Sequence, residues 1–92
     1  MIDKRKFYIN GQWVSPSKPN DYEVINPSTE EAFATISLGS TEDTNAAVSA
    51  AKKALVSWSE SSKDERLNLL EKLLSIYKKR YGEMADAISM EM

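Results

Sequence analysis

The chain has 92 residues, which hold one domain at most, and a net charge of −2, which is not basic enough to suggest nucleic-acid binding. It contains no cysteine and no histidine, so disulfides, iron–sulfur clusters and thiolate zinc sites within the chain are also excluded. A domain of this length buries only about 60–65% of the surface of its unfolded chain, and we therefore expect marginal stability that a partner surface would improve.

The N-terminus predicts no targeting segment. Lys4, Arg5 and Lys6 carry basic charge, but no apolar stretch of signal-peptide length follows them. No later run approaches the ~18 apolar residues that a membrane span requires. The composition thus favours a cytoplasmic protein with neither a membrane nor a nucleic acid as its partner.

The β-rich portion is predicted over residues 7–38 and begins with a hairpin. Phe7–Ile9 and Gln12–Val14 have strand-forming residues on either side of Asn10-Gly11, the dipeptide that best tolerates the positive φ values of a type I′ turn. Residues 15–20 contain two prolines and are expected to form a loop.

Two further strands are predicted after that loop. Tyr22 to Ile25 forms the first and ends at Asn26-Pro27. The second, over residues 32–38, alternates in its larger side chains, with Phe33 and Thr35 on one face, and closes at Gly39.

The helical portion is predicted over residues 41–92. Thr41 is a candidate N-cap for a first helix with acidic residues in its first turn. Residues 57–62 interrupt the helical period, and the Ser62-Lys63-Asp64-Glu65 sequence is a capping box that opens a second helix. The apolar positions expected on one face of each helix are Val48, Ala51, Leu55 and Trp58 in the first, and Leu67, Leu70, Leu74 and Tyr77 in the second.

The second helix has a wide apolar surface, because Leu69, Leu73 and Ile76 extend its stripe beyond a half-exposed face. Such a stripe requires cover from more than one neighbour. Gly82 is expected to break the helix before a third one with Met84, Ala85, Ile88 and Met92 on one side. That third helix still runs at Met92 without a stop signal, which favours a chain cut from a longer one. The predicted class is α+β, as one segment over residues 1–92.

These features occur in an order that resembles the N-terminal segment of the aldehyde dehydrogenase superfamily, over essentially the whole chain. Each motif alone is common, but five in order at sensible spacing are specific. They are the aromatic-Ile-Asn-Gly-x-Trp hairpin from Tyr8 to Trp13, the strand leading into Asn26-Pro27-Ser28-Thr29-Glu30, the strand into Gly39, the Ala-rich helix ending near Trp58 and the Leu-rich helix opened by Ser62.

The resemblance implies a parent enzyme of α/β fold that oxidises aldehydes to carboxylic acids with NAD or NADP, and this segment as the N-terminal part of its cofactor-binding domain. The family's catalytic cysteine and glutamate and its cofactor cleft lie later in the sequence, so no catalytic or cofactor-binding residue is assigned here and the segment alone is expected to be inert. Its partners would be the remainder of the enzyme, the aldehyde and further copies in a homo-oligomer. The choice of aldehyde and of NAD or NADP rests on later residues.

Two details of the resemblance concern single positions. Many family members have glycine where this chain has Glu30-Glu31, and we expect the turn there to differ in type. As in some relatives, the backbone carbonyls of Val24 and Ile25 would help to hold a structural monovalent cation whose other ligands follow Met92.

Other candidate sites have a simpler structural interpretation. Glu30-Glu31 and Glu42-Asp43 are adjacent carboxylates that point in different directions, which favours turn and helix-cap roles. The run of residues 78–80 is basic, but it has no interleaved aromatic side chains and fits a solvated helix end. Trp13 and Trp58 fit packing better than ligand stacking.

Two functional hypotheses remain from the sequence. The first is an inert N-terminal segment of an NAD(P)-dependent aldehyde dehydrogenase. The second is a stand-alone α+β module that binds another protein or itself through the exposed helical stripe. Both predict self-association of the isolated chain, because uncovered apolar surface costs ~25 cal/mol per Å² in water.

Overall fold

The computed structural model describes all of residues 1–92 and has five strands followed by three helices. This is the α+β arrangement that the sequence predicts. The elements are β1 (Ile2–Lys4), β2 (Phe7–Ile9), β3 (Gln12–Val14), β4 (Asp21–Asn26), β5 (Glu31–Ser37), α1 (Thr41–Trp58), α2 (Lys63–Lys79) and α3 (Tyr81–Glu91).

The hairpin of β2 and β3 is confirmed and forms a two-stranded sheet of its own. Asn10 and Gly11 have φ values of 55° and 74°, as a type I′ turn requires at both central positions. Across the hairpin the rings of Tyr8 and Trp13 pack at a centroid distance of 5.1 Å. Trp13 therefore packs against a neighbouring strand, in agreement with its structural interpretation.

A second sheet has the strand order β1-β5-β4. β4 and β5 are antiparallel, and the loop before β4 is held by the Leu38 amide, which donates to the Asn20 carbonyl at 2.8 Å. β1 is a strand that the sequence does not predict, and it pairs with β5 in parallel. Its three residues are too few and too polar to show a periodic pattern. Their register is set by the pairing with β5 and not by the local sequence.

A register shift interrupts the pairing of β4 with β5. Val24 lies opposite Ala34 and Ile25 opposite Ala32, which leaves Phe33 without a partner. A β-bulge of this kind moves a strand's side chains out of strict alternation. The alternation expected from the sequence therefore does not run through β5, where the two buried residues, Ala34 and Ser37, are three positions apart.

The turn between β4 and β5 places Glu30 in the left-handed region, with a φ of 62°. The Glu30 amide donates to the Asn26 carbonyl at 2.8 Å, and the Ser28 amide donates to the Asn26 side chain at 2.9 Å. This backbone conformation is the one that glycine adopts most readily. Glu30 thus carries a conformational cost in this turn, and the expected difference in turn type from family members with glycine stays a prediction.

We expect Glu30→Gly to raise the free energy of unfolding by up to about 1 kcal/mol, because it removes the left-handed strain of an L-residue and adds only the chain entropy of glycine. The measurement is urea unfolding of the protein extended to the length of its family. Glu31→Gly is the matched control in the adjacent strand residue and should destabilise. A loss of stability in Glu30→Gly would contradict the expectation.

Helix α1 begins one residue earlier than predicted, because Ser40 and not Thr41 is its N-cap. The Ser40 hydroxyl accepts the Asp43 amide, and the Asp43 carboxylate accepts the Ser40 amide at 3.0 Å. Asp43 is three residues after Ser40, the spacing that a reciprocal capping box needs. Starting the box at Thr41 would leave a threonine at the cap and an uncharged Thr44 at that position.

The structure confirms Ser62 as the N-cap of α2, but the prediction that Gly82 breaks the helix before α3 is wrong. Ser62 is the N-cap of α2 and accepts the Glu65 amide at 3.1 Å, although Glu65 makes no return bond. Helix α2 ends at Lys79, and its C-cap residue Arg80 has φ and ψ of −104° and 15°, which produce the bend, while Gly82 lies inside α3. The Arg80 side chain binds Glu83 at 2.9 Å and so holds the new helix start.

The molecule is open. Its radius of gyration is 16.9 Å, whereas a compact chain of this length has about 12 Å. Its accessible surface is 7831 Å², about 2,500 Å² more than that of a compact protein of the same mass. Helix α3 lies against β4 and α2, and α1 contacts β2, but α1 and α2 do not pack against each other. No helix has the length and hydropathy that a bilayer crossing requires.

Candidate functional site

The apolar half of α2 is exposed, and we call this surface the α2 face. Successive helix positions are about 100° apart, so seven side chains fall within about half of the helix circumference. Each is between 44% and 61% exposed. They are Leu67, Leu69, Leu70, Leu73, Leu74, Ile76 and Tyr77.

The neighbouring helices also leave their apolar stripes uncovered. The exposed side chains include Val48, Leu55 and Trp58 of α1 and Met84 and Ile88 of α3. Only Ala34 and Ser37 are buried in the whole chain. The stripes predicted from the helical period are therefore real faces, but this segment contains nothing that covers them.

Arg66 lies near the middle of the α2 face. It is one helical turn before Leu69 and Leu70, and it is exposed. The ion pairs of the chain involve Arg5 and Arg80, and Arg66 has no acidic partner. A single guanidinium thus stands among apolar side chains with its charge unpaired.

A polar cluster joins the loop before β4 to the start of α1. The Asp43 carboxylate accepts the Ser17 amide at 3.0 Å and the Ser40 amide at the same distance, and the Ser17 and Ser40 hydroxyls lie 2.8 Å apart. These amide hydrogen bonds, first from Ser40 and then from Ser17, hold the pKa of the Asp43 carboxyl below its usual value. Asp43 therefore caps a helix and anchors a loop, and its adjacent Glu42 shares in neither role.

The pKa of Asp43 predicts a pH-dependent contribution to stability. A carboxyl with a lowered folded-state pKa stabilises the fold while it is ionised, and that contribution is lost as the pH falls through the folded-state pKa. We expect the extended protein to be more stable than its Asp43→Asn variant at neutral pH, with the difference shrinking towards acid. Thermal melts of both proteins across the acid range measure this difference.

The control for that measurement is Glu42→Gln, which neutralises the neighbouring carboxylate without removing a hydrogen bond to the cap or the loop. Its stability difference from the unmodified protein should be small at every pH. An Asp43→Asn variant whose deficit persists unchanged in acid would contradict the assigned role of the ionised carboxylate.

Arg5 connects the N-terminal strand to β4. Its guanidinium binds Asp3 at 2.9 Å and Asp21 at 3.3 Å. Hydrogen bonds from the Arg5 side chain and backbone amide lower the pKa of Asp3 to about 2, and the pairs of the guanidinium with Asp3 and then Asp21 raise the pKa of Arg5. All three side chains are exposed, so the pairs position β1 more than they stabilise the fold.

Val24 and Ile25, the candidate cation ligands, lie in the middle of β4 on either side of the register shift. Val24 is half-buried and Ile25 is 47% exposed. The extra residue of this irregularity, Phe33, belongs to β5 and not to β4. No group of three acidic side chains that could hold a metal ion occurs in the chain.

The remaining charged and aromatic candidates lie at helix ends, in a turn or in a strand. Lys78 and Lys79 are in the last turn of α2, where cations favour the helix dipole. Glu30 is in the turn and Glu31 begins β5. Trp58 ends α1 and is 46% exposed, as part of the uncovered apolar surface.

Comparison with known proteins agrees with this picture. The family model described as the aldehyde dehydrogenase family matches residues 13–92. The chain therefore belongs to the aldehyde dehydrogenase family. Among curated relatives, it is 48% identical over 92 residues to a 3-succinoylsemialdehyde-pyridine dehydrogenase from a Pseudomonas species and 41% identical over 87 residues to a putative aldehyde dehydrogenase from Staphylococcus epidermidis.

Two crystal structures have the same fold over this segment. An aldehyde dehydrogenase from Bartonella henselae superposes with a TM-score of 0.99 at 60% identity and covers 100% of the chain. A mutant of aldehyde dehydrogenase C from Pseudomonas syringae, in complex with NAD+ and octanal, gives a TM-score of 0.94 at 40% identity over 96% of the chain. The chain spans 19% and 18% of these two proteins and corresponds to the N-terminal portion of an aldehyde dehydrogenase.

Proposed function

We propose that this chain acts as the N-terminal part of an NAD(P)-dependent enzyme that oxidises aldehydes to carboxylic acids. The observation that carries the proposal is the uncovered apolar surface, combined with a match to about a fifth of the length of its relatives. The excess of about 2,500 Å² is some three times the area that one partner buries in a standard protein–protein interface. An excess of this size is what we expect when surfaces that belong to a protein core lie in solvent.

In this proposal the segment supplies structure and the rest of the enzyme supplies chemistry. The family reaction needs a cysteine nucleophile, and the 92 residues contain none. The relative from Pseudomonas syringae that carries NAD+ and octanal supports a nicotinamide cofactor and an aldehyde substrate for the parent. The segment alone would bind neither and would be catalytically inert.

The test is to express the protein at the length of its family and to follow the reduction of NAD+ and of NADP+ with a panel of aldehydes. Reduction that depends on aldehyde is the expected result for the long protein, and residues 1–92 alone should give none. Activity in the short chain would contradict inertness. A folded long protein that is inactive with every aldehyde would contradict the enzymatic proposal.

A stand-alone interaction module is the second candidate, and the exposed α2 face is the observation in its favour. The two candidates differ in the mass of the protein in its source cells. An antibody against this segment should detect a species near fifty kilodaltons if the segment belongs to an enzyme of ordinary family size. A species of 10.3 kDa would instead support the module.

We also propose that the Val24 and Ile25 carbonyls contribute to a monovalent-cation site completed by residues of the parent beyond residue 92. The register shift beside them supports this role. A bound cation stabilises the folded state by mass action, so the long protein should melt at a higher temperature in potassium or sodium than in choline at equal ionic strength. Equal melting temperatures in all three salts would reject the site.

The parent is further proposed to be a cytoplasmic homo-oligomer with no nucleic-acid or membrane partner. The net charge of −2 offers no basic surface for a polyanion. Light scattering of the long protein after gel filtration measures the oligomeric state, and fractionation of source cells measures the location. A monomer, or recovery in the membrane fraction, would contradict the respective statement.

A further inference from the structure

Arg66 is a charged residue without an acidic partner on an otherwise largely apolar surface. It lies near the middle of the α2 face, whereas Asn68, Lys72 and Ser75 lie on the opposite half of the helix. The acidic residues nearest in sequence, Asp64 and Glu65, are two positions and one position away and point elsewhere on the helix. None of them pairs with Arg66.

Neighbours along the helix also provide no partner. Side chains meet on a helix when they are three or four positions apart. For Arg66 those positions hold Ser62, Lys63, Leu69 and Leu70. The local sequence therefore contains no carboxylate that could neutralise the guanidinium, and one lysine that adds to its positive charge.

Covering the α2 face would remove the Arg66 guanidinium from water and so raise the free energy of its charged state. A guanidinium moved from water into an apolar contact is strongly unfavourable unless a partner neutralises it and accepts its hydrogen bonds. Arginine is suited to such a place, because its planar group binds a carboxylate through two parallel hydrogen bonds. The cover of this face must therefore bring an acceptor to Arg66.

We propose that Arg66 forms an ion pair with an aspartate or glutamate that the polypeptide following residue 92 places on the α2 face. This inference rests on the proposed function, since the cover is the remainder of the same enzyme. The area to be covered exceeds a standard interface, and the relatives supply some four-fifths of their length beyond this segment. Arg66 is thus a positioning residue that sets how the segment docks.

The experiment compares Arg66→Met, Arg66→Lys and Arg66→Gln in the long protein by thermal melting. Arg66→Met should lower the melting temperature by about 5 °C, because it leaves a buried carboxylate without its partner. Arg66→Lys should recover part of that loss, because it keeps the charge but not the two parallel hydrogen bonds, and Arg66→Gln should recover less. Lys72→Met, on the opposite half of α2, is the matched control and should have little effect.

Three results would overturn the inference. Equal effects of Arg66→Met and Lys72→Met would mean that Arg66 stays in solvent. Recovery by Arg66→Gln as complete as by Arg66→Lys would indicate a neutral acceptor such as a backbone carbonyl. A melting deficit that varies with protein concentration would assign the partner to a second copy. Aldehyde oxidation is measured separately on the unmodified protein, so its absence would reject the enzymatic proposal without deciding the ion pair.

Discussion

Residues 1–92 alone are expected to self-associate and to melt without a cooperative transition. Only two residues of the chain are buried, and the α2 face exposes seven large apolar side chains to water. Apolar surface left in water costs about 25 cal/mol per Å², and association is the direct way to remove that cost. Light scattering should give a mass above 10.3 kDa that rises with protein concentration.

A dye that fluoresces on apolar surfaces supplies a second readout of the same expectation. The isolated segment should bind it strongly, whereas the protein at family length should not, because there the same faces are covered. A segment that remains monomeric at high concentration and unfolds in one sharp transition would contradict the expectation. It would also favour the stand-alone module.

Leu73→Asp should have opposite effects in the two forms of the protein. Leu73 lies on the α2 face and is 61% exposed in the segment, so a carboxylate there should reduce self-association. In the long protein the same carboxylate would be buried without a partner, and we expect the free energy of unfolding to fall by more than about 3 kcal/mol. The measurements are light scattering for the segment and urea unfolding for the long protein.

Ser75→Asp is the matched control, since Ser75 is two residues further along α2 and about 160° away around the helix. A charge on that polar half should change the stability of the long protein by no more than about 0.5 kcal/mol. If Leu73→Asp were tolerated as well as Ser75→Asp in the long protein, the α2 face would not be a covered surface and the proposed docking would be rejected.

The elements that the sequence predicts correctly are those with local causes. Asn10-Gly11 specifies its own turn, and Ser62 caps α2 through a hydrogen bond three residues away. The two wrong helix boundaries, at the start of α1 and between α2 and α3, also have local causes. At α1 two adjacent hydroxyl residues compete for the cap, and the reciprocal bond from Asp43 decides for Ser40. At the α2–α3 bend the backbone of Arg80 and its contact with Glu83 replace the expected role of Gly82.

The features that the sequence does not predict depend on distant residues. β1 has no pattern of its own and exists because β5 offers an edge to it. The bulge at Phe33 and the link between Asp43 and the Ser17 loop likewise need the tertiary arrangement. For the candidate site, the helical period gives the apolar stripe of α2, but the unpaired state of Arg66 becomes evident only when the ion pairs of the structure are known.

The parallel pairing of β1 with β5 has a consequence for the order of folding. Ile2 pairs with Ala34, so β1 has no partner until more than thirty further residues have been made. The hairpin of β2 and β3 closes within eight residues and can form long before that. We therefore expect β1 to pair later than the hairpin closes, and a purification tag fused directly before β1 would lie beside this late-pairing strand.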